Sequence, residues 1–268
     1  MVRVLVLGST GLLGSTVAKY FLEHPKYETI LSYRDKAISF GKDRVFFDAL
    51  ETNLEILPHV DYIINCIGII KPFIGVDRRK SVYINSLFPY ELASYCEQKN
   101  TCLIHITTDC VFSGLSGKYS ESSVHDCLDF YGKSKSLGEP TNCMVLRTSI
   151  IGEEIHKKAS LIEWAKSMEG QHINGFVNHH WNGVTTKQYA KICEQIINEG
   201  LFSKGIFHLH SNSVNKCELL QLISERFNLG LKINPYETET MCDRTLVSGK
   251  NLLHQINIDT LEKQIRDL

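Results

Sequence analysis

Residues 2–14 read VRVLVLGSTGLLG, a short, mostly apolar run that reaches Gly8 and is followed by Gly11 and Gly14. Val2 to Leu7 has the composition of a strand, and the amphipathic stretch beyond Gly14, closing at Pro25, has that of a helix. Glycines at such a turn allow unusual φ values and close backbone approach. A pyrophosphate can then rest on backbone amides at the positive end of the helix. Gly14 lets the helix pack tightly on the strand, and Thr10, Leu12 and Leu13 complete the turn. A plain strand-to-helix turn needs the same residues, so the weight lies in the position, directly after a β-branched run at the start of the chain. That position predicts a dinucleotide-binding α/β fold.

Working outward, Tyr27 to Tyr33 reads as a second strand, Arg44 to Phe47 as a third and Asp61 to Ile69 as a fourth. Helical stretches are expected over Leu50 to Leu57 and Tyr83 to Gln98. The alternation predicts a Rossmann-like, doubly wound parallel sheet, which binds ligands beyond the carboxyl ends of its strands. Candidate coenzyme-binding residues fall there: Ser32, Tyr33 and Arg34 after the second strand, Asp48 and Ala49 after the third, Cys66, Ile67 and Gly68 on the fourth. Where a ribose-binding carboxylate is usual, the sequence offers Ser32-Tyr33-Arg34. Arg34 suits a 2′-phosphate, so NADP(H) is preferred and NAD(H) stays open; a solvated arginine paired with Asp35 is the competing reading. Asp48 can equally cap a helix, and Asn85 is either a cap or a polar support for the site.

Residues 104–139, IHITTDCVFSGLSGKYSESSVHDCLDFYGKSKSLGE, carry the chemistry. Thr107, Thr108 and Asp109 follow where a fifth strand ends. Phe130 to Glu139 looks helical, which makes Tyr131 and Lys135 neighbours on one face. An ammonium beside a phenol favours the phenolate, so Tyr131 is expected to have a lowered pKa and to exchange a proton, with Thr108 bonding the same substrate oxygen. A surface tyrosine resting on a lysine stem gives the same spacing, so the pair gains force only from its context.

Met144 to Ile151 is a sixth strand, after which the βα rhythm loosens. We therefore expect a coenzyme domain over residues 1–150, with a segment about 172–190 returning to it, and a mainly substrate-binding region over 151–268. Helices are expected over Leu161 to Met168, Lys187 to Asn198 and Cys217 to Phe227, a loop over NGFVNHHWNGVTT and a strand over GIFHLHS. His179-His180 and His208/His210 lack a suitably spaced carboxylate or thiol, and no metal site is expected.

Twenty-nine basic and thirty acidic residues nearly cancel, which gives no electrostatic footprint for nucleic acid or an anionic membrane. Nine cysteines without a CxxC pair read as free, buried thiols of a reducing compartment, and a cytoplasmic address is expected. Residues 1–7 are too short for a signal-peptide core, and the longest apolar stretch, residues 62–70, is too short to span a bilayer.

Taken together, Gly8-xx-Gly11-xx-Gly14, Asn65, Thr107 to Gly114 (TTDCVFSG), Tyr131 to Glu139 (YGKSKSLGE), Arg147-Thr148-Ser149, Trp181 to Thr185 (WNGVT) and Gly205 to Ser211 resemble the extended short-chain dehydrogenase/reductase superfamily. Within it, the sequence is most similar to the dTDP-4-dehydrorhamnose reductase family. The resemblance implies hydride delivery from a nicotinamide to C4 of a nucleotide-linked 4-keto-6-deoxyhexose. Thr108, Tyr131 and Lys135 would be the catalytic group, and Lys135 would also hold the nicotinamide ribose. It also implies Asn85 and Thr107 among the coenzyme contacts, and Thr108, Asp109, Cys110, Ile150, Asn178, Trp181 and Asn182 among the substrate contacts. Cys110 and Ile150 stand where that family usually has aromatic residues, so the sugar and its nucleotide stay open, as does the oligomeric state, a homodimer included. A 4,6-dehydratase needs an acid where Cys110 stands. The regulatory β subunit of methionine adenosyltransferase is similar to the same family and offers a non-catalytic alternative.

Overall fold

A computed structural model describes residues 1–34, 43–155 and 158–268. Its strands are β1 (Val2–Leu7), β2 (Tyr27–Tyr33), β3 (Arg44–Phe46), β4 (Tyr62–Asn65), β5 (Cys102–Thr108), β6 (Met144–Thr148), β7 (Ile150–Ile151), β8 (His172–Phe176), β9 (His179–Trp181), β10 (Val184–Thr185), β11 (Gly205–His208), β12 (Val214–Asn215), β13 (Lys232–Tyr236) and β14 (Cys242–Asp243). The α-helices are α1 (Leu12–Leu22), α2 (Arg78–Val82), α3 (Phe88–Gln98), α4 (Phe130–Ser136), α5 (Leu161–Ser167), α6 (Thr186–Asn198), α7 (Lys216–Phe227), α8 (Leu252–Gln255) and α9 (Leu261–Arg266).

Seven strands form one parallel sheet in the order β11-β6-β5-β4-β1-β2-β3. The order reverses between β1 and β4, where Leu7 stands opposite Asn65, and that reversal opens a crevice at the carboxyl ends. The central strands are buried on both faces, which is why they read as continuous apolar runs, whereas the edge strand β3 is largely exposed. Val4 and Val6 face α1 and α6, whereas Leu5 and Leu7 face α3. A third core joins α5, α7 and α9 through Ile162, Leu219, Leu220, Ile223 and Ile265, with Trp181 at its border. Among the described residues, no helix is long and apolar enough to cross a membrane.

Several expected elements differ. Residues 50–57 form only a turn and a 3₁₀ segment, Leu54–Ile56, because Asn53 caps too late and Pro58 follows closely. The fourth strand stops at Asn65, whose side chain takes the Ile67 amide and pulls the chain out of the ladder. The sixth breaks at Ser149, and Ile150 pairs instead with β10. The expected loop after residue 173 contains β8, β9 and β10, whose partners β13, β14, β12 and β7 lie elsewhere in the chain. Within the segment 172–190, β8 joins a small outer sheet, whereas α6, which starts at Thr186, packs on α1; β11, beyond the segment, edges the main sheet.

Candidate active site

The glycine turn is built by three contacts. Gly8 has φ 76°, its N–H donates to Ser32 Oγ at 2.8 Å, and its carbonyl accepts the Gly11 N–H at 3.0 Å. A Cβ on Gly14 would lie 2.0 Å from that same carbonyl, so only glycine permits the approach of α1 to β1. The start of α1 has no side-chain cap and no acidic residue in its first turn. Its leading amides therefore stay available to an anion, the property a dinucleotide pyrophosphate requires. Arg34 is exposed and lies 3.9 Å from Asp48 across the ends of β2 and β3; its competing partner Asp35 lies outside the described residues. Asp48 caps a turn, accepting the Leu50 amide, rather than a helix. Ala49 is buried next to it.

Beyond β4, Ile67 and Gly68 are held by asparagines. Asn65 takes the Ile67 amide and donates to His105 Nδ1 at 3.0 Å. Asn85 bonds both backbone groups of Ile69 and the Ser134 hydroxyl, tying this loop to α4. Asn85 thus supports the site by fixing backbone. It sits in a π-helical turn, Tyr83–Leu87, just before Pro89, which has no N–H for the Asn85 carbonyl four residues back. Gly138 packs on that carbonyl; a Cβ there would be 1.8 Å away. Cys66 is an enclosed thiol whose pKa burial pushes up, and the Thr107 hydroxyl is buried without a hydrogen-bond partner.

Thr108 ends β5, Asp129 caps α4 by accepting the Gly132 amide at 2.9 Å, and Tyr131 and Lys135 lie one turn apart on that helix. The Thr108 hydroxyl lies close enough to the Tyr131 phenol to act on its titration, while it donates to Asp109 and accepts the Cys110 amide. The Lys135 ammonium is buried, donates to the Ile106 carbonyl at 3.1 Å, and would stand 4.0 Å from a Cβ on Gly68. Two of its ammonium N–H groups have no acceptor among the described residues. Burial lowers the Lys135 pKa to about 8, against the opposing pull of Glu139. The expected lowering of the Tyr131 pKa is reversed. Burial and the neighbouring Cys110 thiol push it up, the Thr108 hydroxyl opposes them, and the ammonium is turned toward a carbonyl. The phenol therefore stays protonated at neutral pH.

On the facing side, Asp109 is buried and bonded by the Thr108 hydroxyl at 3.1 Å. Burial raises its pKa, opposed by Arg244, by Thr108 and by Lys216. Burial pushes the Cys110 thiol up to about 12. Ile150 is half-buried against the sheet core. The two asparagines expected to meet substrate are otherwise engaged. Asn178 spends its amide on the backbone and hydroxyl of Thr238, and Asn182 on both backbone groups of Leu246. Trp181 is buried, with Lys216 Nζ 5.2 Å from its ring centre.

Sequence reading passed over Lys216 and Arg244, which lie far from the quoted motifs and carry no local signal; packing of β9, β14 and α7 brings them to Asp109. It also quoted Arg147, Glu139 and His208 only as matching residues. In the structure they form one buried group behind α4. Arg147 holds Glu139 through Nε at 3.0 Å and through Nη2, and meets His208 Nε2 at 2.7 Å and His125 Nε2 at 2.8 Å. The two histidines of GIFHLHS do not converge, since His210 faces a separate surface pocket. Among the described residues, no group of three His, Cys, Asp or Glu side chains is placed to hold a metal.

Comparison with known proteins bears on the whole of this arrangement. The family model described as the RmlD substrate binding domain matches residues 2–246. A dTDP-4-dehydrorhamnose reductase of Aggregatibacter actinomycetemcomitans is 30% identical over 230 residues, covering 78% of this chain and 73% of that protein. Methionine adenosyltransferase 2 subunit beta of Xenopus tropicalis is 28% identical over 244 residues, covering 85% and 72%. Among solved structures, dTDP-4-dehydrorhamnose reductase from Bacillus anthracis in complex with NADP superposes with TM-score 0.77 at 18% identity, covering 99% of this chain and 98% of that one, a likeness of fold. The family expected from the motifs is the one found: the chain belongs to the RmlD substrate binding domain family, within the extended short-chain dehydrogenases/reductases.

Proposed function

We propose that this protein is a nicotinamide-dependent reductase of a nucleotide-linked 4-keto-6-deoxyhexose. The observation that carries the reading is the meeting of Thr108, at the end of β5, with Tyr131 and Lys135, one turn apart on α4. The turn from Gly8 to Gly14 and the uncapped start of α1 fit a pyrophosphate, and the two unused N–H groups of the Lys135 ammonium suit the hydroxyls of a ribose. When bound, the coenzyme supplies the hydride. Thr108 and Tyr131 orient the substrate carbonyl, and Tyr131 gives its proton to the carbonyl oxygen as negative charge develops there. Lys135 stabilises the phenolate that remains. Residues 1–150, with α6 and β11, form the coenzyme half in this reading, and Asp109, Cys110, Ile150 and Trp181 border the sugar.

The test is to mix the purified chain with NADPH and freshly prepared 4-keto-6-deoxy derivatives of dTDP-, UDP-, GDP- and CDP-hexoses and to follow the nicotinamide absorbance. Substrate-dependent oxidation with one of them is expected. The relatives named methionine adenosyltransferase 2 subunit beta favour a second reading, a coenzyme-binding regulatory subunit. No oxidation with any sugar, together with firm NADPH binding, selects it.

The exposed Arg34 at the end of β2 is assigned to a 2′-phosphate, which makes NADPH the preferred coenzyme over NADH. Arg34→Ala is expected to weaken NADPH binding roughly tenfold or more, the worth of a charge-assisted hydrogen bond, and to leave NADH binding unchanged. Equal affinity of the parent protein for both coenzymes, measured by fluorescence titration, removes the assignment.

A further inference from the structure

Behind α4, one guanidinium fixes the protonation of two histidines. Arg147 meets His125 Nε2 through Nη2 at 2.8 Å and His208 Nε2 through Nη1 at 2.7 Å. A guanidinium has donors and no acceptor, so each Nε2 must offer a lone pair and each ring proton sits on Nδ1. From there His125 donates to Ser136 Oγ at 2.6 Å, and His208 to the Val247 carbonyl at 2.9 Å. Both imidazoles are therefore neutral. His208 is fully buried, whereas the His125 side chain is 24% exposed and open to protons from solvent.

His125 stands where three elements meet. Its ring is edge-on to Phe112 beyond β5, it accepts from Arg147 on β6, and it holds Ser136, the last residue of α4 and the neighbour of Lys135. The charged groups facing it are Arg147, Glu139 at 3.6 Å and Asp126. Glu139 is already held by Arg147 through two bonds, and Asp126 is turned to the amide and hydroxyl of Ser113. A second ring proton would put an N–H where Nε2 now accepts one, 2.8 Å from the guanidinium. The imidazolium would then draw Glu139 away from Arg147 or turn out to solvent, and turning out releases Ser136. Burial, helped by Arg147, lowers the His125 pKa from 6.5 against the pull of Glu139 and Asp126.

We propose that His125 is a positioning residue: in its neutral form alone it latches the last turn of α4, and with it Lys135, to β6. Protonation opens the latch. Because the folded chain disfavours the charged ring, the stability it contributes is fully present above 6.5 and is lost as pH falls below that value. The Lys135 ammonium behaves in the opposite sense, being lost as pH rises through about 8. The effect on coenzyme rests on the reading of Lys135 as a coenzyme contact; the latch itself does not.

The test compares the parent with His125→Gln and His125→Asn at about pH 7.5 and about pH 5.5, either side of the ordinary histidine pKa. Glutamine can accept from Arg147, asparagine can donate to Ser136, and neither titrates. NADPH affinity is read by fluorescence titration, and the hold on α4 by hydrogen exchange of its amides. On acidification the parent is expected to lose affinity, and protection in α4, by roughly threefold or more beyond the loss in either variant, the worth of one hydrogen bond. The 2′-phosphate of NADPH and the histidines His105, His179 and His208 titrate in all three chains, so the excess belongs to His125. Equal acid losses in the three chains overturn the proposal, and so does an excess in only one of the two readouts. A parent that binds no NADPH at either pH retires the coenzyme reading alone, and the exchange comparison then decides the latch.

Discussion

On the proposed reading, Tyr131→Phe is expected to lower the rate of sugar reduction by about 10²-fold or more while NADPH binds as before, because the substitution removes the phenol proton assigned to the carbonyl oxygen. The effect should fall on kcat, since the phenyl ring still fills its place on α4. Lys135→Met differs: its ammonium, held on the Ile106 carbonyl beside Gly68, is assigned to the ribose as well as to the reaction, so coenzyme affinity and rate are expected to fall together. A pH dependence accompanies it. With the Lys135 pKa lowered to about 8, the ammonium is present below that pH and lost above it, so NADPH affinity in the parent declines as pH rises through about 8 and is flatter in Lys135→Met. Single-turnover measurements of the Phe variant check the first statement; a rate equal to the parent's would require another proton donor.

Replacing Arg147 by Met costs about 3–5 kcal/mol of stability, the usual penalty for leaving one member of a buried ion pair alone. Its guanidinium and the Glu139 carboxylate are 1% and 3% exposed, and the same guanidinium lies 5.3 Å from the Phe112 ring centre, which itself stacks on Tyr119. Removing the arginine strands Glu139 and frees His125, which is bonded to Ser136 of α4. The double change Arg147→Met with Glu139→Gln removes the stranded charge and should recover a large part of the loss. Urea unfolding of the three variants tests this. A single variant as stable as the parent would mean that Glu139 is neutral in the folded protein.

Why the parallel sheet and the coenzyme turn were legible, and the substrate side less so, follows from what each depends on. Gly8, Gly11 and Gly14 answer to their own backbone and to one neighbouring strand, and β1, β2, β4, β5 and β6 bury most of their residues, so local composition carries the message. Thr108, Tyr131 and Lys135 were legible as residues because a strand end and a helical spacing of four bring them together. Their electrostatics were not, since burial raises the phenol and the lysine ammonium is turned to the Ile106 carbonyl. Asn178 and Asn182 lie in a recognisable stretch, yet their amides are taken by Thr238 and Leu246, partners sixty and more residues away. Lys216 and Arg244 had no local mark at all. The strands β8, β9 and β10 are two to five residues long and exist through pairing with distant segments, which no periodicity within them announces.

The π turn at Tyr83–Leu87 has a consequence for how this helix tolerates change in length. It holds one residue more per turn than an α-helix does, so the segment from Arg78 to Gln98 carries an insertion already accommodated. Deleting one residue there would restore regular helical phase and cost little as helix. It would also rotate everything on one side by roughly 100° relative to the other. Asn85 would turn away from Ile69 and Ser134, and Gly138 would lose the carbonyl on which it rests. The irregular turn is thus a phase shifter: it lets one face of the helix serve the core through Phe88 and Leu92 while the preceding turn points an amide at the site.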